Sequence, residues 1–143
     1  MRYDLLLAEN PKTLVDDFKE LGHETVALMP AITRAWPEGQ RFGYDQIFTR
    51  GNIEYSGSSL NWVTMPDQFT WSFLQNNIRQ NHDGTPLFVE LGLISSHAPW
   101  TPILQVYDDW SAIGNGEIFM EWEGEGPTPQ ELWADHEEVR KYY

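Results

Sequence analysis

Apolar residues open the chain at helical intervals and then bunch together. Leu14, Val15, Phe18 and Leu21 are spaced like one face of an α-helix. Asn10 stands where a cap belongs, Pro11 suits the first turn, and Gly22 sits where helices end. Lys12, Asp16, Asp17, Lys19 and Glu20 fall largely off the apolar stripe and form its wet side. Thr25 to Met29 then reads as a short buried strand, completing a helix–strand unit. The pattern repeats later. Thr64-Met65-Pro66-Asp67 has the layout of a helix start, with a capping hydroxyl, an early proline and an acid. Phe69, Phe73, Leu74 and Ile78 recur at helical spacing to about Gln80. Asn81-His82-Asp83-Gly84 is a polar turn in which His82 reads as a plain surface residue. The apolar run from Leu87 to Ile94 suits a buried, central strand. Two helix–strand units in succession predict parallel pairing of their strands. The expected class is α/β, with a mostly parallel sheet and long irregular loops.

Those loops account for the rest. Pro30 to Asn61 has little periodicity and is rich in turn residues, including Ala35 to Gly39, Phe42 to Asp45 and Ser56 to Ser59. A loop that long in a small domain lines a site or packs through its own side chains. After Pro102, Ile118-Phe119-Met120 reads as a short strand or an edge, and Glu121 to Pro129 as an exposed connection. A last helix starts near Asp135, whose spacing to Glu138 fits a capping box, and Arg140 and Lys141 suit its final turn. No internal repeat or low-complexity tract interrupts this order.

Composition narrows the picture. A length of 143 residues argues for one domain, and 41% hydrophobic with 14% aromatic residues argues against disorder. No run reaches the roughly 18 apolar residues that a membrane span requires, and Met1-Arg2-Tyr3-Asp4 lacks the layout of a signal peptide. The absence of cysteine removes disulfides and thiolate metal sites without fixing a compartment. A formal charge of −13 disfavours nucleic acid and anionic membranes as partners. From Leu104 to Tyr143 ten acidic residues face only Arg140 and Lys141. This stretch is a solvated face or a dock for a basic partner.

Candidate chemistry gathers after the second strand, in Ser95-Ser96-His97-Ala98-Pro99-Trp100-Thr101-Pro102. Pro99 and Pro102 lack N–H donors and push the residues before them away from helical angles. A stiff, extended loop with His97 at its base is expected. Ligands of open α/β sheets sit beyond the carboxyl ends of strands, which makes this the best functional address in the chain. A lone histidine after a strand can equally be a hydrogen-bonded structural residue.

The same segment resembles the S-H-x-P-aromatic-x-P element of the sulfatase branch of the alkaline phosphatase superfamily, and more narrowly of bacterial membrane-anchored sulfatase-like proteins. Ala27-Leu28-Met29-Pro30, Thr33-Arg34-Ala35-Trp36-Pro37-Glu38-Gly39, Asn61-Trp62-Val63-Thr64-Met65-Pro66-Asp67-Gln68 and Asp109-Trp110-Ser111-Ala112-Ile113-Gly114-Asn115-Gly116 match that group in the same order. The resemblance implies a partial alkaline-phosphatase-like fold and a metal-dependent sulfuric or phosphoric ester hydrolase, with sulfate and phosphate both open. It implies that His97 contacts the substrate oxyanion, supported by Ser95 and Ser96. Trp100 and Trp62 would wall the pocket, and Arg34 and Arg41 would face the anion; packing for the tryptophans and local ion pairs for the arginines are the plainer roles.

The family also has an acidic N-terminal metal ligand, a Cys, Ser or Thr nucleophile and a later Asp-His pair. No C-x-P-x-R motif is present here, and Asp135-His136 lies in an acidic helical setting that suits a cap. Asp67, tempting as a metal ligand, is explained as a cap too. The chain thus reads as the middle of a catalytic domain, beginning after the nucleophile segment and stopping before the Asp-His strand. It would hold no complete catalytic set and no divalent metal by itself, although the family uses one, and it would be inactive alone. Its partners would be the missing parts of that domain or another protein. The resembling proteins place this domain outside the cytoplasmic membrane, yet no export signal is visible. A non-catalytic interaction module using the acidic, aromatic surface, and a structural subunit of a larger assembly, are the other readings.

Overall fold

The computed structural model describes residues 8, 11–59, 63–121 and 123–143. Strand β1 (Glu24–Met29) is the spine of the first of two compact units, which runs up to Ile53 and resumes over Asn77–Gly92. Thr25, Val26, Ala27 and Leu28 are fully buried. Both edges of β1 are paired in parallel, with β2 (Gln46–Thr49) on one side and β3 (Leu87–Leu91) on the other. The order is therefore β2-β1-β3. Val26 sits opposite both Gln46 and Val89, and Leu28 opposite both Phe48 and Leu91. The α/β class and the parallel pairing are as the two helix–strand units predict.

The central strand is a different one from that expected. β3 is a sheet edge among the described residues; it is half-buried, and its Glu90 is exposed. The apolar run that it belongs to carries a glutamate in its middle, and the strand ends at Leu91, its last bond to β1 made by Gly92 N on Leu28 O at 2.9 Å. Only β1 has the unbroken apolar face-and-back that a doubly flanked strand needs.

Helix α1 (Leu14–Glu20) is capped by Thr13, whose hydroxyl accepts from Asp16 N while the Asp16 carboxylate accepts from Thr13 N at 2.7 Å. This reciprocal box displaces the expected cap at Asn10, which lies outside the described residues, and it leaves Pro11 ahead of the helix. The buried stripe is narrower than the spacing suggests. Val15 is buried and Phe18 stacks on Phe88 at 4.1 Å, whereas Leu14 and Leu21 are exposed. Gly22, at a φ of 81°, ends the helix as expected.

Two elements stand where loop is expected, α2 (Pro37–Phe42) and β2. Pro37 supplies a pre-set first turn, and Gly43, at a φ of 76°, supplies the left-handed stop. The rings of Trp36, Phe42 and Tyr44 then pack with Val15 and Ala27.

The second unit comprises the described residues of 54–76 and 93–143. Its core holds Met65, Phe69, Ile113, Phe119 and Leu132. Helix α3 (Asp67–Phe73) widens into π-turns over Leu74–Arg79. Phe69, Phe73, Leu74 and Ile78 are buried, as their spacing predicts. Thr64 is not the cap: Pro66 occupies that position and makes no side-chain capping bond. A short antiparallel pair joins β4 (Ile103–Leu104) to β5 (Gly124–Glu125), so the expected connection over 121–129 contains a strand. Ile118 and Phe119 lie in a 3₁₀ turn (Glu117–Phe119) rather than a strand, because Gly116 reverses the chain immediately before them.

Gly116 has a φ of 90°, and a Cβ there would meet the Tyr55 ring at 2.5 Å. Glycine is thus required twice over, by backbone conformation and by space. The chain closes with α4 (Pro129–Ala134), which begins in a Thr128/Glu131 capping box and was not expected, and α5 (His136–Tyr142). Asp135 caps α5 through Glu137 N, as its setting suggests. Glu138 pairs with Lys141 instead of closing a box. Among the described residues no helix is long and apolar enough to cross a membrane.

Candidate functional site

The site is built on the first residue of α3. One oxygen of Asp67 accepts a hydrogen bond from Ile94 N at 2.8 Å; the other accepts from Ser95 N at 3.1 Å and from the Ser95 hydroxyl. A carboxylate taking three donors from one short segment fixes that segment's backbone. Asp67 is therefore a brace across the second unit and not a cap for its own helix.

Beyond the brace the chain folds into tight turns. His97 N donates to Ile94 O, and Trp100 N to His97 O, each at 3.0 Å. The Ala98–Pro99 and Thr101–Pro102 peptides are cis, and Trp100 has a φ of 61°, in the left-handed region that non-glycine residues seldom occupy. The extended loop expected from the prolines is thus a compact double turn, closed by its own hydrogen bonds.

His97 is exposed on this turn, with Nδ1 2.6 Å from Ala98 O. A carbonyl can only accept, so the contact assigns the Nδ1 proton to that bond. Donation from Nε2 then requires the doubly protonated ring. Ser96 is also exposed. Ser95 and Trp100 line a cavity of about 220 Å³ whose other walls include Val63, Gln68, Pro102 and Leu104. His97 and Ser96 do not line it. Trp100 is half-buried, 5.8 Å from the Trp133 ring and 5.5 Å from Tyr143.

Of the residues singled out in the sequence, Ser95 and Trp100 meet at one cavity, with Ser96 and His97 in the same turn. Arg34 and Arg41 belong to the first unit, where Arg34 is exposed and Arg41 half-buried. Trp62 and Asn61 lie outside the described residues. Three further residues build the site. In the sequence Asp67 reads as a metal-ligand candidate that its capping position explains. Gln68 clamps Tyr107 from both ends of its amide, donating to Tyr107 O at 2.6 Å and accepting from Tyr107 N at 2.9 Å. Thr101 is buried and donates to Pro127 O at 2.8 Å. The partners of Gln68 and Thr101 are far along the chain, and no local pattern marks them.

Among the described residues no three His, Asp or Glu side chains gather as a metal cage. Asp67 is committed to residues 94 and 95, and Asp135 to its helix. The donor set here does not fit the divalent metal that the family resemblance implies.

Elsewhere, His82 is not a plain surface residue. Its side chain is only 11% exposed; Nδ1 accepts from Gly84 N at 3.3 Å, and Nε2 lies 2.7 Å from Glu24 Oε2, off the line of a good hydrogen bond. Over residues 104–143 two acids are held ionised by local donors. The Ser111 hydroxyl and amide keep Asp109 below the usual carboxylate range, and Thr128 does the same for Glu131. Trp110, Trp133 and Tyr143 are exposed among these acids. Comparison with family models, with curated proteins and with solved structures finds no match to this chain.

Proposed function

We propose that the chain carries the substrate-anion segment of a sulfatase- or phosphatase-like ester hydrolase domain, with nucleophile and metal ligands supplied by residues other than its own. The observation that carries this reading is the Asp67-braced turn, which holds Ser95, Ser96 and His97 in fixed relation and presents the imidazole at the surface. Preorganised donors of this kind stabilise a developing oxyanion without reorganisation at the moment of reaction. The exposed His97 imidazole would donate a hydrogen bond to a sulfuryl or phosphoryl oxygen. The imidazole and the Ser96 hydroxyl would then share the anion, the Ser95 hydroxyl being given to Asp67.

The test is titration of the chain with inorganic sulfate and with inorganic phosphate, followed by NMR at the His97 ring and the amides of residues 95–97. Perturbation of those signals, lost in His97→Ala, is expected. Shifts confined to other regions would sink the reading. Assays on aryl phosphate and aryl sulfate with Mg, Mn, Ca or Zn should give no appreciable turnover from this chain alone, since its sequence shows no C-x-P-x-R motif and its described residues gather no metal cage. Turnover abolished by His97→Ala would overturn that expectation.

The exposed rings of Trp110, Trp133 and Tyr143 among the acids of residues 104–143 favour a second reading, a non-catalytic module that binds a basic protein partner. A partner captured through this face, and released by Trp133→Ala with salt-dependent affinity, would favour it.

A further inference from the structure

We infer that the cavity beside the Asp67-braced turn is a binding site for an organic ammonium group attached to a ring-sized apolar body. The inference concerns the second unit alone and does not depend on the ester-hydrolase reading.

The cavity measures about 220 Å³, and an apolar cavity of about 150 Å³ is enough to take benzene. Val63, Pro102 and Leu104 give it hydrocarbon walls, and Trp100 adds an indole, the ring that attracts cations most strongly. Asp67 is the one charged side chain among the described residues that line it. Its Oδ2 takes two donors from Ser95 and its Oδ1 takes one from Ile94, so Oδ1 keeps a lone-pair direction for a further donor. The Gln68 amide is committed to Tyr107 and competes little.

An anion placed here would meet a carboxylate with no lysine or arginine in the wall. A purely apolar guest would fill the space and leave the Asp67 carboxylate against hydrocarbon, at a desolvation cost. An alkyl- or arylammonium satisfies walls and carboxylate together, with Trp100 adding to the attraction.

The test uses the 143-residue chain and three probes of nearly equal shape: benzylamine, benzyl alcohol and benzoate. Binding is read from the Trp100 indole signal and the amides of residues 101 and 103–106. Benzylamine should bind about tenfold more tightly than benzyl alcohol, and benzoate should leave these signals unmoved. Asp67→Asn should remove the preference for the amine. Because that variant can also loosen the turn, Val106→Trp serves as a second one. Val106 lines the cavity and is 69% exposed, so a larger ring there narrows the space without entering the core. It should weaken benzylamine about tenfold or more. Absence of benzylamine binding, binding of benzyl alcohol as tight as that of the amine, or binding of benzoate at these residues would each overturn the proposal.

Discussion

The first unit is ordered by backbone pairing backbone, and the second largely by side chains gripping backbone. Around β1 every strand residue from Glu24 to Leu28 has a partner across to β3, and Val26 to Met29 also have partners in β2. In the second unit the only strand pair comprises two residues on each side, among those described. Its long segments are held instead by Asp67 on residues 94 and 95, by Gln68 on Tyr107, by the Ser58 hydroxyl on Met120 O, and by Thr101 on Pro127. A ladder shares its work among many equivalent bonds. A brace concentrates it in one side chain, so the second unit should be far more sensitive to single polar substitutions.

The largest expected effect tests whether the second unit has a core at all. Phe69 is 2% exposed and packs against Tyr55 at 4.6 Å and Phe73 at 6.4 Å. Phe69→Ala should lower stability by about 3–5 kcal/mol, comparable with the roughly 2–5 kcal/mol for Leu28→Ala in β1. Urea unfolding measures both. If Phe69→Ala cost under about 1 kcal/mol, the second unit would be a set of braced loops with no true core.

The brace comes next. Asp67→Ala strips the acceptor from Ile94 N and Ser95 N together, and leaving such donors unmet costs about 1–3 kcal/mol. Asp67→Asn, which keeps one acceptor oxygen, should cost less. Hydrogen exchange should show the loss first at the amides of residues 94 and 95, while β1 amides stay protected. Uniform loss across β1 and the turn would mean that Asp67 acts through global stability, and the contrast between brace and ladder would fail.

This division also explains what the sequence could show. β1, β3 and the buried residues of α3 obey local periods, because one face of each element meets a core. α2 and β2 escaped notice because each is about one turn or one short run long, below the length at which a period is visible. Pro37 and Gly43 were their only signals. In the site, the Ser95–Trp100 segment was legible as an address through its position after a strand, but its folded shape was not. That shape depends on Asp67, and the cavity's far wall on Gln68 meeting Tyr107, in both cases across dozens of residues. Pairings at that range leave no trace in spacing. The cover over His82 is hidden in the sequence for the same reason, since Glu24 is its neighbour in space only.

The smallest effect probes a brace inside the ladder-built unit. Asp45 accepts from Thr25 N at 2.9 Å and from Thr25 Oγ1 at 2.8 Å, and Lys19 Nζ lies 2.8 Å away. Burial works to raise the Asp45 pKa, but Lys19 and Thr25 outweigh it and hold the carboxyl below its ordinary range. A carboxyl depressed in the folded state adds stability above its unfolded pKa of about 3.9, and that contribution fades as pH falls through and below this value. The Asp45 side chain is 37% exposed, so solvent screening limits the gain to less than about 1 kcal/mol. Asp45→Asn should therefore be slightly less stable than the parent at pH 7, and the gap should close as pH drops below about 4. Unfolding curves of the two chains across that range decide it. A gap that stays constant with pH would assign Asp45 a purely steric part; a gap as wide as that of Asp67→Ala would show that strand pairing does not shelter the first unit from loss of a brace.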